Sequence, residues 1–335
     1  MEWASSGICG WRGCNARRLA VLLVMAPGMF ACAVPALAAG ETAAQSAVMA
    51  EPVIQQHFIR ATDGTRLNVL EAGRASKARP VIAFIPGWSM PASIWTPQLL
   101  ALGRQYKVVA LDPRGQGGSD VPRGGYTLRQ RADDIGVFVK RYPRVVLVAW
   151  SLGALETLEF LHRHGSARIA GLVIVDSSIG EGPAPAASST ASSTTVAPAM
   201  SFSDELRLDR NKALTDFIQA IFRTPQPQVK LDALRDAAMR MPLEASLSLF
   251  PSAVPREQWR AIVHRLRKPL LYVVTPQFAA QAGILEATRP GTRIEVFKDA
   301  GHALCVDEPE RFNALLDDFV RTLPAGPVRG KSSLS

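Results

Sequence analysis

The sequence predicts an α/β protein: a mainly parallel sheet with helices on both faces and a helical cap inserted between two of its strands. Three observations carry that expectation. Short runs that are apolar at every position, at 81–85, 108–111, 145–149, 172–175 and 270–274, alternate with longer stretches of helical period. A strand that is apolar throughout is buried on both faces, as in a parallel sheet held between two helical layers. These runs end in turn-forming or polar residues, namely Pro86-Gly87, Asp112-Pro113, Ser151, Asp176 and Thr275-Pro276. Finally, the alternation lapses between Ser177 and Lys268, where four helical stretches follow one another.

Taken in order, residues 58–61 and 67–71 flank Asp63-Gly64, a hairpin signal. Helices are predicted over about 91–103, 127–141, 152–165, 277–288 and 308–322. The last has Glu308-Pro309 at its start and Pro324 past its end. A strand over 293–297 leads into Asp299-Ala300-Gly301-His302. Residues 183–200, rich in Pro, Ala, Ser and Thr, read as a flexible linker or surface loop. The cap helices are expected at 203–222, 227–240, 242–249 and 255–265, with Pro242 and Pro255 in first turns, where a missing N–H costs nothing. Ligands of open α/β sheets bind beyond the strand C-termini, so the cap is expected to cover that crevice. Its apolar residues, among them Leu206, Phe217, Phe222, Met239, Phe250 and Trp259, divide between the cap's own core and a pocket wall.

The first 40 residues differ from the rest. Arg12, Arg17 and Arg18 precede an uncharged apolar stretch from Leu19 to Ala39, and Ala36-Leu37-Ala38 matches a small-x-small cleavage site. This pattern is that of a secretory signal peptide cut after Ala38. Pro27, Gly28 and Pro35 within the stretch argue against a stable spanning helix. The expected organisation is a signal peptide (1–38), a flexible segment (39–55), the core (56–180 and 267–323), the linker and cap (181–266) and a disordered tail (324–335). The location that follows is periplasmic or secreted. Three of the four cysteines, Cys9, Cys14 and Cys32, fall in the removed segment, which leaves Cys305 without a partner. The 335-residue chain is 47% hydrophobic, ample for a sizeable core. Residues 1–38 hold three Arg and one Glu, so their removal leaves +7 of the formal charge of +9. Those basic residues are scattered and not interleaved with aromatics, which argues against a nucleic-acid partner.

Five residues carry the chemistry: Ala149-Trp150-Ser151-Leu152-Gly153. A serine between a strand and a helix, with small residues two positions to either side, is the nucleophile-elbow pattern with Ala in the first small position. The small residues permit a sharp bend and close helix–strand packing, and the bend lifts the serine Oγ clear of the sheet. A serine hydroxyl needs a base to become a nucleophile. The sequence holds no metal-ligand cluster, no Gly-x-Gly-x-x-Gly after a strand and no phosphate-binding loop, so a reaction without cofactor or metal is expected.

Together with Ile85-Pro86-Gly87-Trp88, Asp112-Pro113-Arg114-Gly115-Gln116-Gly117-Gly118-Ser119 and Asp299-Ala300-Gly301-His302-Ala303-Leu304, that segment resembles the α/β-hydrolase fold family over roughly residues 55–322. The resemblance implies Ser151 as nucleophile and His302, in its Gly-His context, as base. It implies the backbone N–H groups of Leu152 and Trp88 as the oxyanion hole. The acid usual after the post-cap strand is missing, since residues 274–281 contain neither Asp nor Glu. Some family members carry it instead at the end of the strand following the nucleophile helix, and Asp176 stands there, with Glu286 and Asp299 as weaker candidates. Asp112 and Arg114 read as structural ties of their loop. The function implied is an exported serine hydrolase that cleaves a carboxylic ester, thioester or lactone of a small hydrophobic substrate. A carbon–carbon bond hydrolase, a cofactor-free dioxygenase of the same fold and a non-catalytic binding protein remain open alternatives. Haloalkane dehalogenation needs a carboxylate nucleophile, which Ser151 is not.

Overall fold

The computed structural model describes residues 51–182, 200–250 and 256–324. The expected signal peptide, residues 39–50 of the expected flexible segment, most of the linker and all of the expected tail except Pro324 lie outside these residues, as does Pro255. Eight strands form one sheet, β1 (Gln55–Arg60), β2 (Arg66–Ala72), β3 (Val81–Ile85), β4 (Val108–Leu111), β5 (Val145–Trp150), β6 (Ile169–Val175), β7 (Leu270–Val274) and β8 (Thr292–Val296). Their spatial order is β1-β2-β4-β3-β5-β6-β7-β8. The hairpin strand β2 runs antiparallel to β1 and β4, while β4 through β8 are mutually parallel. Strands β3 to β7 are buried along their whole length, which is why the sequence shows them as unbroken apolar runs.

Helices cover both faces. Alternate residues of β3 point to opposite sides, which divides the interior into two cores. Ile82 and Phe84 pack with α1 (Thr96–Leu102), α10 (Leu304–Asp307), α11 (Pro309–Thr322) and the cap. Val81, Ala83 and Ile85 pack with α2 (Leu128–Lys140), α3 (Leu152–His164), α8 (Arg256–Arg265) and α9 (Ala279–Thr288). The cap helices facing the first core are α4 (Phe202–Leu208), α5 (Arg210–Ala220), α6 (Gln228–Met239) and α7 (Leu243–Ser248).

The structure departs from the sequence expectation in four places. The helix expected over 203–222 is two helices, broken at Asp209 (φ −146°, ψ 89°), whose carboxylate caps α5 by accepting from Lys212 N–H at 3.0 Å. A carboxylate that satisfies a helix N-terminus competes with continuing the preceding helix. The stretch at 255–265, expected in the cap, is α8. Its Trp259, Ile262 and Val263 are buried with Leu155 and Leu158 of α3 on the opposite face, so Trp259 is not a cap residue. Pro242 stands one position before α7, extended at ψ 144°, rather than in its first turn. The helices expected at 91–103 and 277–288 each open with a 3₁₀ turn, Ala92–Trp95 and Pro276–Phe278. Of the cap's apolar residues, Leu206 is buried, Phe217, Phe222 and Phe250 are half-buried, and Met239 is exposed.

Candidate active site

Parallel register brings the candidate residues together. Ile85 lies opposite Ala149, Trp150 opposite Val175, and Val175 opposite Val273. The residues just past these strand ends, Gly87, Ser151, Asp176 and Thr275, therefore share one edge of the sheet. Ser151 sits between β5 and α3 at φ 55°, ψ −124°. This left-handed conformation is costly for a residue with a Cβ and persists only where the surroundings enforce it. Gly153 shows how: a Cβ there would overlap the Pro86 carbonyl oxygen and lie 2.9 Å from Ile85 Cγ2, so α3 starts hard against the end of β3.

The His302 ring spans two partners. Its Nε2 lies 2.9 Å from Ser151 Oγ and its Nδ1 lies 2.7 Å from Asp176 Oδ2. Asp176 has no exposed surface, while the His302 side chain is 27% exposed. A carboxylate at Nδ1 accepts, so Nδ1 carries the proton and Nε2 presents its lone pair to the serine. The other carboxylate oxygen, Asp176 Oδ1, accepts from Thr275 N–H at 2.7 Å and Thr275 Oγ1–H at 2.8 Å. Thr275 thus stands after β7, where the acid was missing, and supplies donors to an acid just past β6. Sequence reasoning passed over it, although its position immediately after the post-cap strand was the available signal.

The loop bearing His302 is fixed from two sides. Trp150 Nε1–H donates to the His302 carbonyl at 2.9 Å. Asp307 accepts from Gly301 N–H at 2.7 Å and also from Arg223 N–H and Thr224 N–H at the end of the α5 segment. Ala303 N–H donates to the Ile221 carbonyl at 2.8 Å. The histidine loop and this edge of the cap are therefore one hydrogen-bonded unit.

Leu152 is the first residue of α3, and Trp88 follows Gly87 in the turn after β3. Among the described residues neither backbone N–H has a hydrogen-bond acceptor. A Cβ on Gly87 would come within 3.2 Å of Ser151 Cβ, so the turn lies directly against the elbow. The Trp88 side chain belongs to the cap contact: its Nε1–H donates to the Ser246 carbonyl at 2.7 Å. Its ring stacks on Phe250 with centroids 5.0 Å apart and meets Phe202 and Phe217 edge-on.

Three other histidines and the remaining candidates lie elsewhere. His57 faces Glu71, His164 bonds Asp133 and His264 bonds Glu181. Glu286 and Asp299 are exposed and make no bond to His302. Asp112 accepts from Ala92 N–H, Asn68 Nδ2–H and Gly118 N–H, and burial raises its pKa above the usual carboxylate range. Arg114 pairs with Asp134 and Asp63, and its hydrogen bond holds the Asp63 pKa down to about 2. Both residues tie down the loop between β4 and α2.

The sequence profile of the alpha/beta hydrolase family matches residues 82–315. The chain belongs to the alpha/beta hydrolase family. Similar curated proteins include 2-(acetamidomethylene)succinate hydrolase of Mesorhizobium japonicum, 35% identical over 115 residues. That match spans 33% of this chain and 40% of the relative. Another is the pimeloyl-[acyl-carrier protein] methyl ester esterase of Aromatoleum aromaticum, 28% identical over 72% of this chain and 99% of that protein. Among solved structures, an esterase from Exiguobacterium antarcticum superposes with a TM-score of 0.64 at 22% identity, covering 79% of this chain and 99% of its own, and so supports the fold. No helix among the described residues of this hydrolase is long and apolar enough to cross a membrane.

Proposed function

We propose that this α/β-hydrolase is a serine hydrolase that cleaves a carboxylic ester, thioester or lactone through an acyl-enzyme. The observation that carries the reading is the hydrogen-bonded line from Ser151 Oγ through both nitrogens of His302 to the fully buried Asp176. Ser151 Oγ attacks the carbonyl carbon while its proton passes to His302 Nε2. The Asp176 carboxylate holds the ring and stabilises the imidazolium that forms. The developing oxyanion takes hydrogen bonds from the Leu152 and Trp88 N–H groups. His302 then protonates the leaving oxygen or sulfur, giving acyl-Ser151 and an alcohol or thiol, which is released from an ester or thioester and stays tethered to the acyl chain in a lactone. A water that loses its proton to His302 Nε2 attacks the acyl carbon, and Ser151 Oγ leaves and is reprotonated. The reaction needs no cofactor or metal.

The half-buried rings of Phe202, Phe217 and Phe250 around Trp88 support a small hydrophobic substrate rather than a charged one. The Arg-led apolar stretch and the Ala36-Leu37-Ala38 site support export to the periplasm or beyond. Edman sequencing of protein recovered from the periplasm or culture medium is expected to begin at Ala39. Recovery of the uncut chain in the cytoplasm would reject export.

The test of the reaction is labelling with a fluorophosphonate, alongside hydrolysis of the small substrate p-nitrophenyl acetate, in the wild type and Ser151→Ala. Both activities are expected in the wild type and neither in the variant. A folded wild type inactive in both would reject the acyl-enzyme reading and direct attention to oxygen-consuming or binding roles.

A further inference from the structure

We infer that Gln116 is the residue that aims the Trp88 N–H of the oxyanion hole, by clamping the strained turn after β3 through the Gly87 and Met90 carbonyls. The inference deepens the proposed acyl-transfer reading and rests on it.

The turn 87–90 has little to hold it in shape by itself. Ser89 adopts φ 57°, a left-handed conformation in a residue that is not glycine. Such a residue costs about 1 kcal/mol or more and returns to ordinary backbone unless restrained. The Ser89 side chain does not restrain it, since its buried Oγ has no partner among the described residues. Gln116 does. Its Nε2 donates to the Gly87 carbonyl at 3.1 Å and to the Met90 carbonyl at 2.6 Å, bridging the turn on both sides of Ser89. The Gly87 carbonyl also accepts from Met90 N–H at 3.3 Å.

The direction of Trp88 N–H follows from peptide geometry. In a planar trans peptide the C=O and the N–H point to opposite sides. Fixing the Gly87 carbonyl on Gln116 therefore turns the Trp88 N–H away from Gln116. Ser151 adjoins this turn, within 3.2 Å of the position of a Gly87 Cβ, and among the described residues no protein acceptor takes the Trp88 N–H.

The clamp is itself anchored. Gln116 is 1% exposed, and its Oε1 accepts from Arg131 Nη2–H at 2.5 Å. Arg131, buried on α2, places its Nε 3.5 Å from Glu156 Oε1, one turn into α3 from Leu152. An amide has both polarities, so Gln116 donates to two carbonyls and accepts from a guanidinium at once. The N–H of Trp88 is thereby referenced, through Gln116 and Arg131, to α2, which packs in one core with the helix whose first residue supplies the other oxyanion donor.

A positioning residue for the oxyanion affects the tetrahedral state and not ground-state binding. The test compares wild type, Gln116→Met and Gln116→Glu in p-nitrophenyl butyrate hydrolysis and in inhibition by 1,1,1-trifluorooctan-2-one, whose hemiketal with a serine carries an oxyanion. Methionine fills similar space without a donor. Glutamate keeps the Arg131 contact but turns an acceptor toward two carbonyls. Losing one oxyanion donor altogether costs about 10²–10³-fold in kcat. A misaimed donor is expected to cost roughly 10- to 100-fold in Gln116→Met and more in Gln116→Glu. KM should stay within about twofold, and ketone affinity should fall in step with kcat/KM. Equal kcat in the folded variants, or a loss confined to KM, would overturn the inference while leaving wild-type hydrolysis, and with it the acyl-enzyme reading, intact. A wild type without Ser151-dependent hydrolysis would reject that reading at its root. A crystal structure of the wild type with the ketone bound needs no variant to fold. The hemiketal oxygen is expected about 3 Å from Trp88 N with Gln116 still on the Gly87 carbonyl, and a flipped 87–88 peptide would refute the assignment.

Discussion

Asp176→Asn separates an acid that orients His302 from one that merely lies beside it. In the native site Oδ1 accepts from Thr275 N–H and Oγ1–H, while Oδ2 accepts from His302 Nδ1–H. Asparagine keeps one acceptor and replaces the other with a donor. The Thr275 hydroxyl can rotate to suit either, but the Thr275 backbone N–H can only donate. It draws the asparagine oxygen to the Oδ1 position and leaves the NH₂ facing His302. Flipping the amide would lose that bond, worth about 1 kcal/mol, and set donor against donor in a site without solvent, at about 1–3 kcal/mol more. The resulting bias of about 2–4 kcal/mol is roughly 30- to 1,000-fold. With an NH₂ at Nδ1, the ring must accept there and carry its proton on Nε2, where it cannot take the Ser151 proton. Loss of the carboxylate's negative charge beside the imidazolium adds to this. The expected fall in kcat/KM is about 10²–10⁴-fold, with little change in thermal unfolding. Ester hydrolysis measures the rate, and ¹⁵N spectra of the His302 ring report the tautomer. A folded variant within tenfold of the wild type, or one whose ring keeps its Nδ1 proton, would refute the assignment of Asp176 and the role of Thr275 together.

Two further outcomes follow from the packing behind the site. Gly153→Ala places a methyl group into the Pro86 carbonyl and 2.9 Å from Ile85 Cγ2. It should cost about 2–3 kcal/mol in denaturant unfolding and lower the fluorophosphonate labelling rate, whereas unchanged stability would mean that the elbow does not depend on this approach. Burial raises Glu156 to about 7 despite Arg131 nearby, so the folded state holds that proton more tightly than the unfolded chain does. The stability this contributes is fully present below about pH 4.3 and is lost as pH rises through about 7, by roughly 3–4 kcal/mol at most. Unfolding curves of Glu156→Gln should lack this fall between pH 4.5 and 8. A variant curve parallel to the wild type would show that Glu156 does not titrate in that range.

Much of the architecture was legible in the chain because its signals are local. An unbroken apolar run such as 145–149 marks a strand buried on both faces, whatever it packs against. The residue ending each run in a parallel sheet then falls on the same edge, so Ser151 and Asp176 were expected at one edge before any distance was known, whereas the role of Thr275 there was not. Local signals failed where two readings shared one pattern. The helical period of 255–265 was clear, but period does not say which side of the sheet a helix covers, and α8 lies on α3. Asp209 reads equally well as a polar residue within a helix or as the cap of a new one, and in the folded chain its carboxylate takes the Lys212 N–H and caps α5.

What the sequence by itself determined is the order of strands and helices, the elbow at Ser151 and the short list from which its partners came. Each of these depends on residues within a few positions of one another. Tertiary structure alone decided how the site is held. Thr275 meets Asp176 across 99 positions, His302 meets it across 126, and Gln116 reaches Gly87 across 29. Such bonds depend on sheet register and on the packing of α2 against α3. No spacing in the chain encodes them, because the backbone between the partners is free to place them anywhere until the core closes.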